Sequence, residues 1–342
     1  MRVQAWCGAA LGFWVSGVAN AQTVDLSLNQ AALDAGLDEA AIEDAINGVA
    51  ASELQLGNPD AFVTSMTEAL AISGKGMGVD YASNITKAVV GGTLASGVHE
   101  SGFRFNKGEG TLPKGGFAAQ VSLMAGMNLG LGGKEKGFFD RFRIYANGMS
   151  LRLPSNREFG GRMYNVGGHL QVKLIGGIKA PLTEWGGIDF TTGAELNGYT
   201  FELRSDLPIS APIEGGDLTW NATGGYEIAT QSMSVPLELS TNLRVSVATA
   251  YVGGAYDLNT ASGTSGIALG GPVVGSVPAA GVDNADLGSA TIQYGGAGSA
   301  LPESVRFFGG LQANVLVLKA YGHLNVTTNG GVGGNLGVRV AL

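Results

Sequence analysis

Residues 234–251 read SVPLELSTNLRVSVATAY, and their alternation decides the fold. Val235, Leu237, Leu239, Thr241, Leu243, Val245, Val247, Thr249 and Tyr251 fill one register, and Glu238, Ser240, Asn242, Arg244, Ser246 and Ala248 the other. A period of two places these sets on opposite faces of a strand, one oily and one wet. A tilted strand crosses a bilayer in about 9–11 residues with lipid-facing and lumen-facing side chains alternating, so this stretch is long enough.

Working outward, the same alternation recurs at 87–104, 115–131, 139–153, 162–179, 187–204, 217–231, 235–256, weakly at 287–294, and at 305–328 and 332–342. These ten segments predict an all-β fold, an antiparallel transmembrane β-barrel of about ten strands, with eight and twelve as neighbouring even counts. The segment 217–231 is read with Leu218, Trp220, Ala222, Tyr226 and Ile228 toward lipid. Short inner turns are expected at 132–137, 180–185 and the pair Ser232-Met233. Longer outer loops are expected at 105–114, 154–161, 205–216 and 257–286, and Asn329-Gly330 carries a two-residue hairpin signal. Trp185, Trp220, Tyr164, Tyr199, Tyr226, Tyr251 and Tyr256 are candidates for interfacial girdles. A soluble barrel or sandwich, burying the oily face against another sheet, is the competing architecture.

Before the strands the chain differs in kind. Arg2, the apolar run 5–18 and Ala19-Asn20-Ala21 have the form of a signal peptide, 1–21, which makes the expected address the cell outer membrane. Cys7, the sole cysteine, lies inside that run, so no disulfide or thiolate metal site is expected in the mature chain. Residues 22–80 carry ten acidic side chains against Lys75 alone. Asp38 and Asn58-Pro59 are helix-start signals, and 22–86 is read as an acidic helical segment, a periplasmic cap or a plug, ahead of a barrel at 87–342. Gly74-Lys75-Gly76-Met77-Gly78 lacks the Lys-Ser/Thr ending of a phosphate loop and reads as a hinge.

The inward register supplies the candidate lumen-lining residues Arg141, Arg143, His169, Lys173, Glu195, Glu227, Glu238, Arg244 and Arg339, with Arg306 in the same register. Their mixed signs predict pairing across a narrow lumen. The histidines His99, His169 and His323 have no metal-ligand spacing and stand in no catalytic motif, so neither cofactor nor enzyme activity is expected. The partners expected are outer-membrane lipids, the barrel insertion machinery and an extracellular ligand at the outer loops. Nucleic acid is excluded by the acidic balance, because phosphate binding needs clustered Lys and Arg.

The signal peptide, the alternating strands and the apolar last strand resemble a Gram-negative outer-membrane β-barrel protein over 87–342. The acidic helical start, the Gly/Ala/Ser-rich loop, LPESVRFFGGLQANVLVLKAYG at 301–322 and NLGVRVAL at 335–342 are similar to the leptospiral-type surface adhesin (lipo)protein family. That resemblance implies surface exposure and ligand binding by outer loops, and it carries no functional residue. The expected function is a non-enzymatic surface or envelope barrel. The alternative is a narrow porin-like or hydrophobic-solute channel gated by the N-terminal helices.

Overall fold

The computed structural model describes residues 24–54, 58–85, 87–99, 115–130, 137–153, 158–278 and 281–342. The signal-peptide segment 1–21 and the outer loop 105–114 lie outside the described residues. The elements in chain order are β1 (Val24–Leu28), α1 (Gln30–Asp34), α2 (Glu39–Leu54), α3 (Pro59–Ser73), β2 (Ala88–His99), β3 (Gly116–Asn128), β4 (Phe142–Leu153), β5 (Phe159–Lys179), β6 (Thr183–Ile213), β7 (Gly216–Val245), β8 (Ala248–Val277), β9 (Val282–Ser299), β10 (Glu303–Val315), β11 (Leu318–Thr327) and β12 (Gly331–Ala341). Among the described residues no helix is long and apolar enough to cross a membrane.

Ten strands close into a ring. Antiparallel pairing runs from β2 through β8, passes to β10, β11 and β12, and returns to β2 at Val332↔Val98 to Ala341↔Val89. Closure satisfies the backbone polar groups that lipid cannot. The outward register is exposed and apolar, as at Leu94, Leu123, Leu239, Leu311, Leu324 and Leu336, while Thr93, Gln120, Gln171, Ser240, Gln312 and Asn325 in the inward register are buried.

Several segment boundaries differ from the reading above. The stretch 234–251 is not one strand: it holds the end of β7, a turn at Ser246-Val247 and the start of β8, with Val245 facing Ala248. The turn reverses the register, so Thr249 and Tyr251 point into the lumen and are buried. Likewise 305–328 folds back at Leu316-Val317 into β10 and β11, with Val315 facing Leu318. Neither turn contains the Asn-Gly or Gly-X that announces a two-residue hairpin, and the alternation of the flanking strands runs on through them. The weak segment 287–294 belongs to β9, which pairs with β8 and β1 outside the ring.

Leu316 sits at that turn with φ 55°. A left-handed Leu costs about 1–2 kcal/mol, which Asn largely avoids. Leu316→Asn is therefore expected to raise the midpoint of urea unfolding, by about 1 kcal/mol of stability.

Three strands outgrow the bilayer. β6, β7 and β8 each run for about thirty residues, some 100 Å at about 3.4 Å per residue. Ser232-Met233, expected as a turn, lies within β7, paired with Asn197 and Leu196. Beyond the ring the tips of β6, β7 and β8 join β9 and β1 in a five-stranded sheet. Here the polarity of the two faces is exchanged. In the ring the even positions of β7 (Ser232, Ser234, Glu238, Ser240, Asn242) face the wet lumen; in the extension the same register presents Leu218, Trp220 and Ala222. These pack under α1 and α2 with Val24, Leu26, Ile42, Ile46, Ile209, Val273 and Ile292. The outward assignment of Leu218, Trp220 and Ala222 is thereby corrected, because outside the bilayer the apolar face must turn away from water; Tyr226 and Ile228, also assigned to lipid, face inward and pack on Phe62 and Met66 of α3. Trp220, Tyr199 and Tyr251 are likewise enclosed instead of forming a girdle.

Both edges of this outer sheet are blunted. Arg204 N–H donates to Glu158 O on the β5 side, so the same register further up β6 would point its donors at the free edge. Pro208 and Pro212 occupy that register and have none. On the other edge, α2 caps β1: Val24 N–H donates to Asn47 Oδ1 at 2.8 Å and Leu28 N–H to Glu39 Oε1 at 3.3 Å.

Candidate functional site

The lumen is occupied by the chain itself. Asn58 Oδ1 accepts from Ala61 N–H and Pro59 opens α3, as the cap signal predicts. The first turns of α3 lie at the long-loop end, where Ala297 N–H donates to Asp60 Oδ1 at 2.9 Å. Further along, its backbone approaches so close that a Cβ on Gly116 would collide with the Ser65 carbonyl. Gln120 Nε2 donates to Ser73 Oγ at 2.7 Å. Residues 74–85 then descend through the ring to the short-turn end. There Asn128 Nδ2 donates to Ile85 O, and Lys87 N–H donates to Leu342 O where β2 begins. Gly74 to Gly78 is thus the middle of the plug. Gly76, at φ 80°, passes His323 with no room for a Cβ.

Charge fixes this path. Arg306, fully buried on β10, donates to Glu238 Oε1 at 2.5 Å, Asp257 Oδ2 at 2.8 Å and Asn325 Oδ1 at 2.8 Å. The plug completes the group: Lys75 Nζ lies 3.4 Å from Asp257 Oδ1, and Tyr81 O–H donates to Glu238 Oε2 at 2.7 Å. Two carboxylates therefore meet two cations, one cation from the wall and one from the plug. Tyr81 stacks with Tyr251 and His323 at 5.6 and 5.5 Å between ring centroids. Lower down, Arg339 bonds Asp80 Oδ1 and the Val79 carbonyl, both at 3.2 Å, over the Tyr321 ring. Near the short-turn end Arg143 and Lys173 share Asp189, and Lys173 also reaches Asn84 Oδ1 at 3.1 Å.

Of the nine residues read as lumen-lining, Arg143, His169, Lys173, Glu195, Glu238 and Arg339 face the lumen. Arg141 and Arg244 are exposed around the short turns, and Glu227 lies on the outer wall where β7 leaves the ring. The reading placed Glu227 inward because it broke β7 at Ser232-Met233. Asp257, assigned to an outer loop, stands in the middle of β8. Lys75 falls in the stretch read as a hinge, and neither it nor Asp80 and Tyr81 is marked as lumen-facing by the sequence, because no strand periodicity marks a chain lying along the lumen axis.

His169 Nε2 and Glu195 Oε1 lie 3.4 Å apart, and their side chains are only 1% and 3% exposed. Asn147, Asn197, Ser232 and Ser234 extend this polar wall on β4, β6 and β7, with Asn197 against Gly74 and Asn147 against Gly78. Among the described residues no group of three His, Cys, Asp or Glu is placed to hold a metal ion.

At the long-loop end the residues of α1, α2, β1 and the outer sheet (24–54, 205–224 and 268–292) contain twelve acidic side chains and no Lys or Arg. One face of that sheet is covered by the helices. The other carries Asp25, Ser27, Asp206, Ser210, Asn221, Thr223, Ser289 and Thr291, all exposed.

A family profile described as Lsa36-like matches residues 18–342. No curated protein is similar to the chain in sequence. Among solved structures, the outer membrane protease OmpT of Escherichia coli is 10% identical, with 77% of this chain and 99% of that one covered and a TM-score of 0.34. Neisserial surface protein A is 10% identical, with 77% and 100% covered and a TM-score of 0.24. A FadL homologue of Pseudomonas aeruginosa is 10% identical, with 81% and 98% covered and a TM-score of 0.24.

Proposed function

From a chain that belongs to the Lsa36-like family of leptospiral surface adhesins and is an integral outer-membrane β-barrel, we propose a sealed anchor that displays an acidic binding platform outside the cell. The observation that carries this reading is the course of residues 59–85 through the ring, which leaves residues 24–54 at the end opposite the short turns. Short turns face the periplasm in barrels of this kind. The lumen is filled by a helix and a balanced set of ion pairs, and the strands that exceed the bilayer are spent on the platform. The role is non-enzymatic: His169 and Glu195 are shut between the wall and the plug, out of reach of a substrate. An extracellular partner would meet the polar sheet face and not a strand edge, since α2 caps β1 and Pro208 and Pro212 blunt β6.

Cysteine labelling on intact cells tests the display. With a membrane-impermeant maleimide, Asp34→Cys on α1 is expected to label and Leu316→Cys at the short-turn end to remain unlabelled until the envelope is broken. Labelling of Leu316→Cys alone would invert the orientation and end this reading.

A second reading, a gated channel, is favoured by the plug's hold. Beside the apolar packing of Val79, Tyr81, Ala82 and Ile85 on the wall, residues 74–85 are retained by the ion pairs Lys75–Asp257 and Asp80–Arg339, which a ligand or membrane potential can exchange more readily than apolar contacts.

A further inference from the structure

Arg152 and Arg162 stand directly opposite one another on β4 and β5, both exposed on the outer wall at the long-loop end. Like charges in that position destabilise a strand pair. Among the described residues no carboxylate lies within ion-pair distance of either guanidinium. The Arg162 guanidinium lies 5.9 Å from the centre of the Tyr164 ring, one step closer to the apolar band. Below them the outward positions are small, Gly148 and Ala146 on β4 and Gly168 on β5, and Ile144, Val166 and Leu170 border the shallow trough they leave. Around the same rim the other outward positions differ: on β6 Arg204 is already paired with Glu202 at 3.1 Å, and the others carry Glu227 on β7, the Tyr256–Glu303 pair on β8 and β10, Phe117 on β3 and Val98 on β2.

We propose that Arg152, Arg162 and Tyr164 bind the phosphorylated headgroup of a lipid in the outer leaflet, whose acyl chains lie in the trough. Two guanidiniums facing one another can share a phosphate through charge-assisted, bidentate hydrogen bonds, and the anion removes the repulsion that the bare pair suffers. A tyrosine at this depth keeps its ring in the apolar layer and its hydroxyl at the headgroups. The site lies outside the barrel, so it stands whether or not the platform binds a partner.

The full chain, refolded in zwitterionic micelles, is heated with added phosphatidic acid, phosphatidylcholine or inorganic phosphate, and the midpoint at which the folded gel band is lost is recorded. Phosphatidic acid is expected to raise the midpoint, and the other two to leave it unchanged. R152Q/R162Q is expected to be more heat-stable than the parent in plain micelles, through relief of repulsion, and to lose the phosphatidic acid shift. By native mass spectrometry it should retain about tenfold less phosphatidic acid, the equivalent of about 1.4 kcal/mol. R141Q/R244Q, at the opposite end, should keep the shift. A double variant that keeps the shift, an equal shift with inorganic phosphate or phosphatidylcholine, or loss of the shift in R141Q/R244Q would each overturn the proposal.

Discussion

Arg306→Ala is expected to destabilise the folded barrel by about 3–5 kcal/mol, because it leaves two carboxylates buried with too little positive charge. Glu238 and Asp257 are 2% and 0% exposed, and Lys75, paired with Asp257, would leave Glu238 with the Tyr81 hydroxyl alone. The cost comes from stranding charge and not from losing one favourable contact, which makes a specific rescue available. Glu238→Gln, added to Arg306→Gln, removes the uncompensated charge and leaves Asp257 paired with Lys75, and most of the lost stability should return. The measurement is the urea midpoint of the folded gel band for the single and combined variants. Equal midpoints for parent and Arg306→Ala would mean that the lumen is wet enough to solvate the pair. The plug would then have to be held by its packing.

Removal of residues 24–85 is expected to turn a silent barrel into a conducting one in planar bilayers. The interior admits an α-helix, whose overall diameter with side chains is about 10–12 Å. An opening of that order passes hydrated ions freely. Since truncation also removes β1 and uncovers the apolar face beneath α2, a milder variant is needed beside it. Lys75→Ala with Asp80→Ala keeps every element and deletes both charges by which the plug engages Asp257 and Arg339. It should produce intermittent openings. Steady conductance of the unaltered protein would count against the sealed anchor and for the channel; silence of both variants, with folding confirmed by gel mobility, would show that the ring collapses on an empty lumen.

The barrel was legible because the bilayer imposes one rule on every strand, oily outside and polar inside. The rule was read correctly from β2 through the ring-forming part of β6, and for most of β12. It misled wherever the chain left its domain of validity. In β7 the exchange of faces between Trp220 and Ser234 was taken for a turn, since a sequence cannot tell a strand that reverses its oily side on leaving lipid from two strands joined by a hairpin. At Ser246-Val247 and Leu316-Val317 the opposite occurred, and true turns made of ordinary residues vanished into continuous alternation. Among the site residues, Arg143, His169, Lys173, Glu195, Glu238 and Arg339 lie in the expected register. Lys75, Asp80 and Tyr81 do not follow from any local pattern. Their partners are supplied by strands distant in sequence, which only the closed ring brings together.

The outer sheet has a bearing on how the molecule is made. Four of its five strands are the tips of β6, β7 and β8 together with β9, and β1 enters it by pairing Val24 with Ile292. The first segment of the described chain therefore waits for one of the last. Contacts so remote in sequence form slowly, and until they form the apolar residues of β1 and α2 have no sheet to cover. In the orientation proposed above, the platform cannot be completed in the periplasm and carried across whole. Its leading segment then crosses before β9 can receive it, while the wall assembles, and the seam between β12 and β2 closes residues 59–85 inside. Export and folding become one event on that reading, with the pore serving as the conduit that its own cargo afterwards stoppers.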